Sequence, residues 1–151
     1  MSYAIRPATP ADAQRIAEFN RRLAEETESK HLDTPTVLSG VQALLDAPEH
    51  GRYYVVESGD VLVGQLLLTY EWSDWRNGRF WWIQSVYVAP SHRRQGVFSA
   101  LYRHVEALAR QDPAVCGLRL YVEEHNANAL DTYRSLGMHP TGYHVLEIEL
   151  D

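Results

Sequence analysis

The chain has 151 residues and a formal net charge of −6, which fits one ordinary globular domain, 1–151, able to bury a core without a staple. With a single cysteine, Cys116, no internal disulfide forms, and a reducing cytoplasmic location is expected. The acidic balance disfavours a nucleic-acid partner and favours cationic ones; no apolar run reaches the roughly 18 residues of a membrane span, and Met1–Arg6 lacks a signal peptide's apolar stretch.

Residues 3–6 read as a short strand. Thr9-Pro10-Ala11-Asp12 then gives a cap, a proline suited to a first helical position, and an acid for the positive end of the dipole. Ile16, Phe19 and Leu23 follow at helical spacing, and the acidic stretch Glu25, Glu26 and Glu28 is placed after this first helix. Thr34-Pro35 repeats the start signal, and Val37, Leu38, Val41, Leu44 and Leu45 form the apolar face of a second helix.

From residue 53 the pattern becomes strand-like. Tyr53–Glu57 is rich in β-formers, Ser58-Gly59-Asp60 turns the chain, and Val61–Tyr70 makes the next strand. Asn77-Gly78 signals a hairpin, and Phe80–Val88 is apolar on both faces, as a covered central strand would be. Residues 96–110 are helical and Leu118–Val122 is a strand. Asn126 can cap a fourth helix that ends at Gly137, and Tyr143–Leu150 alternates like a last strand. Hairpins followed by a β-α-β passage predict a mixed central sheet with helices on both faces.

Residues 86–101 form a strand, a short basic turn and a helix start. Free N–H groups at the helix start, Gly96 for close approach, and Arg93 and Arg94 suit a phosphate or pyrophosphate; a solubilising turn is the plainer reading of the same residues. The segment Arg93-Arg94-Gln95-Gly96-Val97-Phe98 resembles the pyrophosphate loop Gln/Arg-x-x-Gly-x-Gly/Ala of the GNAT superfamily of N-acetyltransferases, with Phe98 in place of a small residue. Asn126-Ala-Asn-Ala129-Leu-Asp-Thr-Tyr133-Arg-Ser-Leu136-Gly137-Met138 resembles that family's second motif, with Met138 where phenylalanine is usual. The two motifs lie in the expected order.

The resemblance implies an α+β (α/β three-layer) acyl-CoA N-acyltransferase fold and acetyl transfer from acetyl-CoA to an amine. It implies that Val86, Tyr87 and Val88 offer main-chain groups to the pantetheine arm and the oxyanion. Arg93, Arg94, Gln95, Gly96, Val97, Phe98 and Ser99 are expected to hold the pyrophosphate, with Asn126 at the cofactor or capping its helix. Tyr133 is the implied general acid, protonating the leaving thiolate; by spacing alone it is an ordinary amphipathic-helix residue.

No general base stands out, and Gln84 cannot accept a proton, so a water relay or an already neutral amine is expected. Trp72, Trp75, Trp81 and Trp82 are core-type residues by default, yet Trp72 beside Glu71 and Asp74 would suit a cation with an aliphatic body. Glu26 is placed at the same mouth; solvated charge is the alternative for these acids. The expected acceptor is a small cationic amine, such as a polyamine or an amino-acid-like molecule. The competing readings are a protein lysine or N-terminal acetyltransferase and a non-catalytic acyl-CoA-binding module. The last strand or the aromatic hairpin could pair in a homodimer, and a covered edge in a monomer explains them equally well. The seven histidines show no zinc-site spacing, so no metal is expected, and no membrane partner is implied.

Overall fold

The computed structural model describes residues 2–150. Its elements are β1 (Ala4–Pro7), α1 (Ala13–Glu28), α2 (Thr34–Asp46), β2 (Arg52–Ser58), β3 (Val61–Ser73), β4 (Gly78–Val88), α3 (Val97–Gln111), β5 (Val115–Leu120) and α4 (Ala127–Ser135). Short 3-10 turns, Pro10–Asp12 and Pro90–His92, lead toward α1 and α3. The chain forms two compact units, one ending at Leu120 and one beginning at Tyr121.

In the first unit the strand order is β1-β2-β3-β4-β5, antiparallel up to β4, with β5 parallel to β4. The sheet is therefore mixed, as the element pattern predicts. Alternation divides its side chains between two cores. Tyr53, Val55, Leu67 and Tyr87 meet Ile16 and Phe19 of α1 and Val41 of α2. On the opposite face, Tyr54 lies edge-on to His104 of α3, at 5.4 Å between ring centroids. Val56, Leu66, Leu68, Val97, Leu101 and Val105 are all buried.

The close approach of α3 depends on Gly64. A Cβ there would stand 3.1 Å from Val97 Cγ1 and 3.4 Å from the Tyr87 carbonyl oxygen. Substituting Gly64→Val should push the start of α3 off the sheet and destabilise the fold by about 1–3 kcal/mol, as overpacking does. Urea unfolding measures that loss, and acetyl-CoA titration should show weaker binding beyond it.

Local signals explain most boundaries. Asp33 rather than Thr34 caps α2, its carboxylate accepting from the Thr36 N–H at 3.1 Å. Glu25, Glu26 and Glu28 belong to the last turns of α1, which ends on left-handed Ser29, so the expected acidic loop is helical. The strand expected at Leu118–Val122 starts earlier and runs Val115–Leu120.

The segment Tyr143–Leu150 is not a strand, contrary to the alternating pattern. Its side chains at Tyr143, Val145, Leu146, Ile148 and Leu150 are exposed. Alternation permits a strand, but only a paired neighbour makes one.

One ion pair ties β1 to the entry of α1. Arg6 grips both oxygens of Asp12 at 2.8 and 3.0 Å and also pairs with Glu57, while Thr9 N–H donates to Asp12 at 2.8 Å. The Arg6 guanidinium holds the Asp12 carboxyl below its usual value. A depressed folded pKa contributes stability that is complete above the unfolded carboxylate value, about 3.9, and is lost as pH falls below it. Asp12→Asn should therefore flatten the fall in melting temperature below pH about 4, measured by a pH series of thermal melts.

Candidate active site

After β4 the chain turns through Pro90–His92, and Arg93 is extended. Arg94 (φ 62°) and Gly96 (φ 80°) are both left-handed. Main-chain N–H groups converge into a nest for an anion where right- and left-handed residues alternate, and Arg94 and Gly96 supply the left-handed positions of such a turn. Gly96 is also the N-cap of α3, where no side chain supplies a cap, so the helix start keeps its N–H groups for another acceptor.

Several side chains of this loop are committed elsewhere. Gln95 donates to the Ser91 carbonyl at 3.2 Å and accepts from the Tyr3 hydroxyl at 2.7 Å. Tyr3 also reaches His92 Nδ1 at 3.2 Å. Arg93 donates to the Val88 carbonyl at 2.9 Å and to Glu26. Val97 is buried, and the Phe98 ring lies 6.3 Å from Tyr102 along the helix surface. The bulk of Phe98 thus packs against its own helix, while Arg94, Gly96 and Ser99 are exposed.

The second feature is a bulge in β4. Gln65 faces Tyr87 and Leu67 faces Gln84, so Ser85 and Val86 together oppose Leu66. Ser85 is left-handed at φ 50°, a conformation that costs a residue with a Cβ roughly 1–2 kcal/mol. Pairing with β5 covers Arg79 to Ile83 and stops there. From Gln84 to Val88 the β5-side edge of β4 therefore has no strand partner among the described residues. Strand alternation turns the main-chain groups of Val86 and Val88 to this open edge, where Arg93 already takes the Val88 carbonyl, and turns those of Tyr87 toward β3.

The residues expected to meet the acceptor divide into three settings. Glu26, on α1, accepts from the Tyr87 hydroxyl and from Arg93, and that pairing lowers its pKa. Burial and the bond to Glu26 push the Tyr87 phenol up. Glu71 accepts from the Trp82 indole N–H at 2.8 Å and from Arg119 at 3.1 Å, so its charge is partly matched. Arg119 in turn stacks on Phe80, 3.7 Å from the ring centroid. Trp72, 59% exposed, and Asp74 stand toward solvent at the end of the β3–β4 hairpin, with Trp75 more open still. Gln84 donates to the Thr69 hydroxyl at 2.8 Å.

In the second unit, Asn126 caps α4, accepting from the Ala129 N–H at 3.1 Å. Tyr133 is on this helix and half-buried, and burial pushes its phenol above the ordinary value. It therefore keeps its proton throughout the neutral range.

Residues 14–138 match the family model described as Acetyltransferase (GNAT) family, a span that takes in the nest, the bulge and Tyr133. The chain belongs to the GNAT family of acetyltransferases.

The GNAT match extends to specific relatives. The chain is 31% identical over 147 residues to the thialysine N-epsilon-acetyltransferase of Bos taurus, covering 88% of this chain and 82% of that one. It is 26% identical over 132 residues to the Caenorhabditis elegans protein of the same name, covering 87% and 80%. Among solved structures, a possible acetyltransferase from Clostridium difficile 630 is 45% identical with a TM-score of 0.94, covering 100% of this chain and 99% of that one. The protein is an N-acetyltransferase with a GNAT fold. Among the described residues no group of three His, Cys, Asp or Glu side chains could hold a metal ion, and no helix is long and apolar enough to cross a membrane.

The motifs do not reach two residues that touch the candidate site. Tyr3 lies far outside both motifs, and only its contacts with Gln95 and His92 reveal a part in holding the loop. Arg119 has a usable signal in retrospect: it is a lone charge between Leu118 and Leu120 of a strand.

Proposed function

We infer that the chain acetylates a primary amine of a small, cationic, amino-acid-like molecule, with acetyl-CoA as donor and Tyr133 as general acid. The observation that carries this reading is its likeness to relatives named thialysine N-epsilon-acetyltransferase.

The residues present suit the donor. The Arg94–Gly96 nest and the uncapped start of α3 would bind a pyrophosphate through main-chain N–H groups. The unpaired β4 edge from Gln84 to Val88 would hydrogen-bond the amide groups of a pantetheine arm. When bound, acetyl-CoA supplies a thioester carbonyl that a neutral amine can attack. N–H groups beyond the bulge would stabilise the developing oxyanion, the Tyr133 hydroxyl would give its proton to the leaving sulfur, and the proton shed by the attacking nitrogen would pass to water, from which the tyrosinate is reprotonated. Asp74 and Trp72 would attract and cover the body of a cationic acceptor. Glu26 would act mainly through Arg93 and Tyr87, and Glu71 through Arg119.

The test is incubation with acetyl-CoA and a panel of thialysine, lysine, polyamines, aminoglycosides and lysine-containing peptides, with free thiol and product mass read together. Thiol release should be fastest with the free lysine-like amines, each product gaining one acetyl group. Acetylation confined to peptides would remove the small-molecule reading.

A further inference from the structure

Gln65 is the polar residue least expected in the sheet. It is fully buried, and its neighbours Val63, Leu66, Leu67 and Leu68 are buried and apolar. Its amide nitrogen donates to Asn20 Oδ1 at 2.7 Å and to the Ser85 carbonyl oxygen at 3.0 Å. Asn20 donates to the Tyr53 hydroxyl at 3.2 Å, and the Ser85 side chain interacts with that hydroxyl, drawing its pKa down against the rise that burial causes. Residues from α1, β2, β3 and β4 thus close a ring of polar contacts that begins and ends on Ser85.

The direction of the ring is fixed. Both partners of the Gln65 nitrogen are oxygens, so a turned amide would set its own oxygen against two acceptors. This leaves Gln65 Oε1 buried with no protein partner among the described residues. An orphaned buried acceptor weakens a fold, and an apolar side chain of similar size would avoid it. Packing alone therefore does not explain a glutamine here. Its grip on Ser85 does, because Ser85 is left-handed, a state glycine adopts freely and serine does not. Serine also brings the hydroxyl that lets the ring close.

We propose that Gln65, with Asn20 and Tyr53, is a positioning residue that locks Ser85 in its left-handed state and so aims the next main-chain N–H group on the open edge, that of Val86, at the thioester carbonyl. The proposal rests on the acetyl-CoA reading above. It adds a set of side chains that touch neither donor nor acceptor yet set how strongly the carbonyl is polarised.

The test needs no acceptor. Acetyl-CoA labelled with carbon-13 at the acetyl carbonyl is bound to the wild type, to Gln65→Met and to Tyr53→Phe, and the carbonyl stretch is read by infrared difference spectroscopy. The wild type should lower the stretch relative to free acetyl-CoA, and both variants should lose much of that lowering while still binding. Tyr53→Phe removes one oxygen and keeps the ring's shape, so it carries the test if Gln65→Met folds poorly.

With any acceptor that turns over, kcat should fall about tenfold in Gln65→Met and about threefold in Tyr53→Phe, with KM for acetyl-CoA within about twofold. The double variant should be no worse than Gln65→Met, because both substitutions open one ring. A lower melting temperature with an unchanged carbonyl stretch would reduce the ring to a staple between α1 and the sheet and overturn the proposal. Multiplying effects on kcat would overturn it too. Failure of the wild type to bind acetyl-CoA would instead overturn the donor reading, and the proposal with it.

Discussion

Replacing Tyr133 with phenylalanine should lower kcat about a hundredfold while leaving KM for acetyl-CoA within about threefold, the pattern expected when a proton donor used only in the transition state is removed. The side chain is half-buried, so the ring should stay in place and only the hydroxyl is lost. The pH dependence sharpens the test. Burial pushes the Tyr133 phenol above its ordinary value, so the acid form is present at all pH values below about 10. An amine acceptor must be neutral to attack, so activity should rise with pH through the neutral range in the wild type. Tyr133→Phe should keep that rising limb and lose height at every pH. A variant with wild-type kcat would mean that the leaving thiolate takes its proton from water, and Tyr133 would revert to a helix-packing residue.

Gly96→Val should weaken acetyl-CoA binding at least tenfold. A Cβ at Gly96 meets nothing within 4 Å, so crowding by the protein is not the cause. The cost lies in the backbone, because φ 80° is strongly disfavoured for a β-branched side chain. The chain must leave that conformation or bear the strain, and either way the nest formed with Arg94 opens. Gly96→Asn is the informative partner, since asparagine tolerates left-handed backbone. It should bind acetyl-CoA more tightly than Gly96→Val, as measured by calorimetric titration of both. Equal loss in the two variants would place the defect in the added side chain rather than in the loop conformation.

The sequence carries the frame of the molecule well and its cross-chain contacts poorly. Element order, the mixed sheet and the cap at Asn126 all follow from periodicity and local chemistry, which act over a few residues. The nest is legible because Gly96 and the start of a helix adjoin in sequence. Left-handed Arg94 and Ser85 are not legible, because neither residue type announces a positive φ, and the Gln65 amide that meets the Ser85 carbonyl comes from another strand. Glu26 is the clearest case of a shifted setting: its distance from Arg93 along the chain hides an ion pair across α1 and the loop. The Tyr143–Leu150 segment fails in the opposite sense, since its alternation is real but it forms no strand among the described residues. Gln65 could have been flagged as a lone amide in an apolar run, although only the register assigns it to the bulge.

The strand order of the sheet bears on how the molecule forms. Space follows chain order from β1 to β5, and the hairpins joining β2 to β3 and β3 to β4 close over only two and four residues, 59–60 and 74–77. Closing β1 onto β2 spans the 44 residues 8–51, and loop-closure entropy rises with length. The β2–β4 meander should therefore be the kinetic nucleus, with residues 52–88 gaining protection first in pulse-labelled hydrogen exchange. On a chain made from its N-terminus, this places the Ser85 kink ahead of Tyr133 in time as well as in sequence. The strand that would receive the carbonyl can take its bend before the residue that would finish the reaction has been synthesised.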